Sequence, residues 1–157
     1  MEQIEQRRGL TKEEAEAFIG NNAYFYMDKW RNHNGKTLKG WNWASMWFGI
    51  EWMAYRKMYL EAVIAFFVVA AVSIAFNFLL GAFGASWGGG KVLGDIFRLA
   101  LGILGNMLYR NKALRTVRKT GGMDENQRLE HLKAKGGTSV AGVIGCILVE
   151  VALFILL

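Results

Sequence analysis

The run AVIAFFVVAAVSIAFNFLLGAF, Ala62 to Phe83, is 22 residues long and carries no charge. That length and composition are what an α-helix needs to cross the roughly 30 Å hydrocarbon core of a bilayer. Such a segment must satisfy its backbone polar groups internally, and a helix does so. Two more apolar runs follow: Val92 to Tyr109 (VLGDIFRLALGILGNMLY), with Asp95 and Arg98, and Thr138 to Leu157 (TSVAGVIGCILVEVALFILL), with Glu150. The expectation is an all-α membrane protein with three transmembrane helices. The chain has no proline to break a helix, so sharp turns fall to its 19 glycines.

The remaining segments set the division expected of the chain. Residues 1–40 read as a cytosolic amphipathic helix and linker, 41–61 as an interfacial aromatic helix, and 62–157 as a three-helix bundle with a basic cytosolic loop at 110–137. Thr11 and Glu14 form a capping-box pattern with Leu10 before the cap, which starts a helix predicted over Lys12–Arg31. Phe18, Ile19, Asn22, Phe25, Tyr26 and Trp30 fall roughly on one side of it. That face packs on the rest of the protein, or else meets the membrane surface or a partner. NHNGKTLKG, Asn32 to Gly40, is a turn-rich linker. The N-terminal residues lack the apolar core of a signal peptide.

WNWASMWFGIEWMAYRKMY, Trp41 to Tyr59, holds four tryptophans in its first twelve residues. At about 100° per residue, Trp41, Phe48, Trp52, Tyr55 and Tyr59 share one side of a helix and Trp43, Trp47, Ile50 and Ala54 the other. Both sides want burial, yet the strongly apolar part is only about 14 residues and includes Glu51, too short to span. Tryptophan and tyrosine favour the headgroup level, where Arg56 and Lys57 reach phosphates. The segment therefore reads as interfacial or shallowly re-entrant, with a short fourth span as the alternative. Trp41, Trp43, Trp47, Trp52, Tyr55, Arg56, Lys57 and Tyr59 are its membrane-interface residues.

The net charge of +6 would suggest nucleic acid in a soluble protein. Beside long apolar spans it fits positive loops facing anionic lipid, so no nucleic-acid partner is expected. Residues 1–57 hold nine Lys and Arg, the stretch 110–135 holds eight basic and three acidic side chains, and the connection Gly84–Lys91 holds Lys91 alone. The positive-inside rule then places the N-terminus and the basic loop in the cytoplasm and the C-terminus outside. Arg110, Lys112, Arg115, Arg118 and Lys119 follow the second span directly and are expected to touch anionic headgroups.

Ionisable groups within spans are costly unless paired. With alternating helix directions and 1.5 Å of rise per residue, Asn77, Arg98 and Glu150 all fall roughly 9–11 Å below the outer surface. An intramembrane polar cluster of Asn77, Arg98 and Glu150, with Asp95 nearby, is predicted to fix helix register or, in an oligomer, to line a path. The third span carries a small-residue stripe, Thr138, Ala141, Gly142, Gly145, Cys146 and Val149, with Glu150 on its flank, suited to close helix approach.

Chemistry is thinly represented. GASWGGGK lacks the glycine and hydroxyl spacing of a phosphate loop. His33 and His131 stand without partners at metal-ligand spacing, no nucleophile–histidine arrangement occurs, and Cys146 has no second cysteine to pair with. No catalytic residue, metal or cofactor is expected.

FIGNNAYFYMDKW, WNWASMWFG and W..YRKMY, with Asn106 and Tyr109 before Arg110, resemble a bacterial membrane family catalogued as a domain of unknown function. The resemblance spans roughly residues 16–119 and is most specific at 41–59. It implies a bacterial inner-membrane location and supplies no activity, substrate or catalytic residue. Members often carry proline after the Phe-Gly pair, where this chain has Ile50 and Glu51, so the kink implied there lacks its proline. The function expected is a small non-enzymatic membrane adaptor or regulatory subunit, with membrane lipid and a membrane-protein partner or a second copy as its contacts. A homo-oligomeric channel or transporter component is the alternative.

Overall fold

The computed structural model describes residues 10–31, 40–83 and 89–156. The first nine residues, the linker at 32–39 with His33, and most of the 84–91 connection lie outside them. Every regular element among the described residues is a helix. α1 (Lys12–Ile19) and α2 (Ala23–Arg31) precede α3 (Trp43–Tyr55) and α4 (Tyr59–Ala82). α5 (Gly89–Arg118), α6 (Glu125–Lys135) and α7 (Val140–Leu156) complete the order. Three segments, Tyr59–Ala82, Val92–Arg118 and Glu125–Leu153, are long and apolar enough to cross a membrane, with mean hydropathies of 2.6, 1.4 and 1.8.

The capping box at Thr11 forms as its pattern predicts: the Glu14 backbone N–H donates to Thr11 Oγ1 at 3.1 Å, and the Thr11 N–H to the Glu14 carboxylate at 3.0 Å. The single helix expected over Lys12–Arg31 is instead two. Gly20, with φ +77°, ends α1, and α2 restarts at Ala23. This turn re-aims the second half, so that Phe18, Ile19, Tyr26 and Trp30 are buried while Asn22 and Phe25 stay exposed.

α3 is folded back on itself at Gly49, whose φ of +51° and ψ of −119° interrupt the helix. That backbone is open to glycine and strained for any other residue, so glycine supplies the kink that the missing proline left in question. The segment runs down α5 and returns. Asn42 bonds Asn106, Ser45 bonds the Leu101 carbonyl, and Gly49 lies beside the Arg98 side chain. Arg56 and Lys57 then offer their carbonyls to Lys112. Both ends of the hairpin therefore meet the basic end of α5 and the tip reaches toward its other end, which makes the segment a helical hairpin rather than one straight helix.

The basic stretch after Tyr109 is helix rather than loop. α5 continues to Arg118, and at 1.5 Å per residue its 30 residues measure about 45 Å. That exceeds the hydrocarbon thickness by several turns. The run RNKALRTVR is built of good helix formers, and Ala113 and Thr116 bury one side of it. After a turn at Gly122 (φ +88°), Asp124 caps α6 by accepting from the Gln127 N–H at 2.9 Å.

The core gathers at this basic end. Phe18, Ile19, Tyr26, Trp30, Trp52, Met53, Met58, Leu101, Tyr109, Ala113 and Leu132 bury against one another. α4 beyond its first turn and α7 are apolar and outward-facing. None of the most apolar stretch of α4 is buried, and 6% of that of the third segment, so these helices present the surface that a lipid phase would cover. The spans do not pack as a simple three-helix bundle. α3 wedges against both α5 and α7, and α4 packs on α5. Gly142 of α7 lies so close to the Ala54 carbonyl and the Tyr59 ring that a Cβ would stand 2.9 Å from each, whereas Gly145 faces open space. The small-residue stripe is thus used against the hairpin and only at its start.

Candidate functional site

Two glycines on α5 let the hairpin approach. A Cβ at Gly102 would stand 2.8 Å from the Trp41 ring, and one at Gly105 would stand 2.4 Å from Ser45 Oγ. Backbone and side chains then bond across the seam. The Asn42 N–H donates to the Gly102 carbonyl at 2.8 Å, Ser45 Oγ to that of Leu101 at 2.8 Å, and Asn42 Nδ2 to Asn106 Oδ1 at 2.9 Å. Asn106 Nδ2 donates to the Gly40 carbonyl, and its own carbonyl accepts from Trp30 Nε1 at 3.1 Å. One asparagine on α5 thus holds the start of the hairpin and the end of α2 together.

Beyond this seam lies an aromatic enclosure. The Tyr109 ring, fully buried, lies 5.0–6.3 Å, centre to centre, from those of Phe18, Tyr26, Trp30 and Trp52. Such pairs each add about 0.5–1.5 kcal/mol beyond area burial. The Arg56 guanidinium sits over the rings of Tyr26 (4.7 Å), Tyr109 (5.2 Å) and Tyr55 (5.6 Å). Arg56 is only 4% exposed. Its Nε and Nη1, like Trp41 Nε1, are buried without a hydrogen-bond partner among the described residues. Cation–π attraction, about 2 kcal/mol when desolvated, offsets part of the cost of this burial.

The residues expected at a membrane interface divide into two sets. Trp43, Trp47 and Tyr59 point outward with Phe48, whereas Trp52 and Arg56 are buried and Trp41 and Tyr55 half-buried. Lys57, at φ +54°, reaches the Ala134 carbonyl at 3.1 Å. Of the residues expected to touch anionic lipid, Lys112 turns inward. Its ammonium donates to the carbonyls of Arg56 and Lys57 at 2.8 Å and of Lys135 at 3.4 Å, and lies 5.5 Å from the Phe18 ring centre. Arg115 pairs with Glu61. Arg110 is half-buried, and Arg118 and Lys119 are exposed.

The polar residues of the spans are not drawn into one direct cluster. Asn77 Nδ2 donates to the Ser73 carbonyl on its own helix at 2.8 Å. Arg98 pairs with Asp95 one turn away at 3.9 Å, and Glu150 accepts from Cys146 Sγ at 3.5 Å. Glu51 at the hairpin tip lies within the electrostatic reach of both Arg98 and Glu150. Two cavities adjoin these elements. One of about 700 Å³ lies between α4 and α7, lined by Phe66, Ala70, Ile74 and Glu150. The other, about 860 Å³, is a groove between α2 and α3 that reaches Val143 of α7. No cluster of three or more His, Cys, Asp or Glu suited to a metal ion occurs among the described residues.

Sequence reasoning missed the inward role of Lys112 and the central position of Glu51. A lysine flanked at helical spacing by Leu108, Tyr109 and Thr116 was the available signal for the first. The second left no local trace, because its neighbours come from two other helices.

Together these features define an all-α protein of membrane type, in which an aromatic helical hairpin is held by a two-helix N-terminal cap against helices long and apolar enough to cross a membrane. More narrowly, the chain belongs to the family described as "Protein of unknown function (DUF2628)", which matches residues 6–115. The match covers the cap, the hairpin, α4 and most of α5, so the seam and the enclosure lie within it. No curated protein and no solved structure matches the chain.

Proposed function

We propose that this protein is a small, non-enzymatic integral membrane adaptor or regulatory subunit of a bacterial inner membrane. Its N-terminal cap and basic end face the cytoplasm and its C-terminus lies outside. The observation that carries this reading is the packed attachment of the cap. α1 and α2 are fixed to the hairpin and to α5 by Phe18, Tyr26, Trp30 and Asn106, while Tyr24 is 88% exposed and Phe25 about half. An aromatic pair held outward on a packed platform suits recognition of a protein partner, because a pre-ordered backbone loses little freedom on binding. Arg118 and Lys119 stand outward at the same end and suit contact with anionic headgroups.

In-cell crosslinking followed by native mass spectrometry in mild detergent tests the reading. The expected result is a second protein at fixed stoichiometry, lost in Tyr24→Ala/Phe25→Ala. A complex that survives this double substitution removes the aromatic pair from the interface. One observation favours a second reading, a homo-oligomeric channel or transporter component: Glu150 lines the 700 Å³ groove beside α4, and ionisable groups in spans commonly mark ion paths. Ion flux into liposomes holding only this protein, abolished by Glu150→Gln, is the result that would favour it.

A further inference from the structure

The groove between α2 and α3 has a polar and an apolar end. Lys29 and Arg56 line it together with Trp41, and Trp43, Phe48 and Val143 extend its wall. Arg56 brings two buried N–H donors that no described residue accepts, and Trp41 brings a third. Buried donors left unmatched cost about 1–3 kcal/mol each. The aromatic rings around Arg56 hold its guanidinium in place but accept no strong hydrogen bond. A guanidinium fork matches the paired oxygens of a phosphate or carboxylate, and Lys29 adds positive charge to the same groove. The one carboxylate in the wall, Glu51, lies at the hairpin tip toward Arg98, which orients an anion to the Arg56 end. The outward-facing Trp43 and Phe48 continue the groove as an apolar surface. The volume of about 860 Å³ falls in the range of small-molecule sites.

We infer that this groove binds one anionic amphiphile, its phosphate or carboxylate oxygens on the free N–H groups of Arg56 and Trp41 and its apolar tail along Trp43, Phe48 and Val143. Phe25 also lines this groove and Tyr24 does not; the anion end rests on the donors of Arg56 and Trp41, so the inference holds whether or not the adaptor reading does.

The test uses the full chain in mild detergent, titrated with phosphatidic acid, with phosphatidylcholine of the same acyl chains, and with inorganic phosphate alone. Bound lipid is counted by native mass spectrometry and thermal stability is followed in parallel. The expected result is one retained phosphatidic acid per chain, with affinity at least about tenfold above that of phosphatidylcholine, a gap of about 1.4 kcal/mol. Arg56→Lys is expected to erase that preference. Should Arg56→Lys fail to fold, Ala44→Trp decides, since Ala44 is exposed and lines the groove. The added indole fills the site and is expected to lower retention about tenfold while leaving the fold intact. Phosphate that stabilises the protein and competes with the lipid supports the anion site and identifies free phosphate as a second source of the same chemistry. Equal retention of both lipids, or retention unchanged in Ala44→Trp, overturns the inference.

Discussion

Gly105→Ala adds one methyl group to a helix and is expected to dislodge the hairpin. Elsewhere on a helix the same change stabilises by up to about 1 kcal/mol, through backbone entropy. At Gly105 the new carbon would stand 2.4 Å from Ser45 Oγ and 2.8 Å from Ser45 Cβ. Ser45 is fully buried and belongs to a backbone pinned by its own cap, so the contact cannot be relieved by a rotamer change. Moving α3 away stretches the bonds from Ser45 Oγ to Leu101, from the Asn42 N–H to Gly102 and from Asn42 Nδ2 to Asn106. Net losses of about 0.5–1.5 kcal/mol for each of the three bonds and about 1–3 kcal/mol for overpacking come to about 2.5–7.5 kcal/mol. For a chain of this size that is a fall of about 5–30 °C in the unfolding midpoint. Thermal unfolding in detergent, followed by tryptophan fluorescence, reads it directly. Gly145→Ala is the matched control, because nothing lies within 4 Å of a Cβ there, and it is expected to leave the midpoint unchanged or slightly raised. Ser45→Gly removes the atoms that collide and is expected to recover part of the loss when combined with Gly105→Ala. If Gly105→Ala unfolds with the Gly145→Ala control, the seam does not carry the close packing argued for it.

Gly49→Ala is expected to cost about 1–3 kcal/mol, the range for a residue held in a backbone region closed to L side chains; a circular-dichroism melt coincident with the parent would refute the kink. Lys112→Met leaves the carbonyls of Arg56, Lys57 and Lys135 without their shared donor, at an expected cost of about 2–3 kcal/mol. Amide exchange at residues 57–62 and 135–139 should accelerate, and exchange confined to the chain termini would argue against the tie. For the spans, Arg98→Glu/Asp95→Arg is expected to restore more membrane expression than Arg98→Glu/Glu150→Arg. The reverse ranking would establish a cross-helix pair in place of the 3.9 Å contact within α5.

The spans were legible because 22 uncharged residues leave few alternatives, and the capping box because its two partners are three residues apart. The aromatic segment was half legible. Tryptophans on both sides of Trp41–Tyr59 demanded burial on both sides, whereas Trp43, Trp47, Phe48 and Tyr59 face outward, and composition alone did not separate an interfacial helix from a hairpin. That distinction rests on the backbone of Gly49, where the absent proline pointed away from a kink. The break at Gly20 was obscured in the same way, since the apolar period runs through it. The polar cluster was reasoned from depth alone. Equal depth brings side chains together only if the helices are neighbours, and α3 stands between α5 and α7. The basic stretch failed for a related reason: charge marks a topological side but does not say whether the backbone is helical.

The hairpin explains why the quoted motifs occur together. A chain that enters a bundle and leaves on the same side must reverse within it, and in a bilayer a reversal is tolerated only where protein covers it. Gly49 makes the reversal and is buried against Arg98. Asn42 starts the inward arm by accepting from the Ser45 N–H, and Gly102 and Gly105 clear the space that this arm needs. On the outward arm, Trp52 packs on Tyr109 and Arg56 stacks on the same ring, while Lys112 caps the carbonyls where the arm ends. The Trp-Asn-Trp-Ala segment, the Tyr-Arg-Lys-Met-Tyr segment and the Asn106/Tyr109 pair are therefore two arms and the wall they pack on. Removing any one exposes polar groups of the other two. It follows that Asn106→Leu should destabilise more than the loss of its own side-chain bonds implies. In a double-mutant cycle, Asn42→Ala and Asn106→Leu should couple by more than about 0.5 kcal/mol, and strict additivity would mean that the arms and the wall are independent.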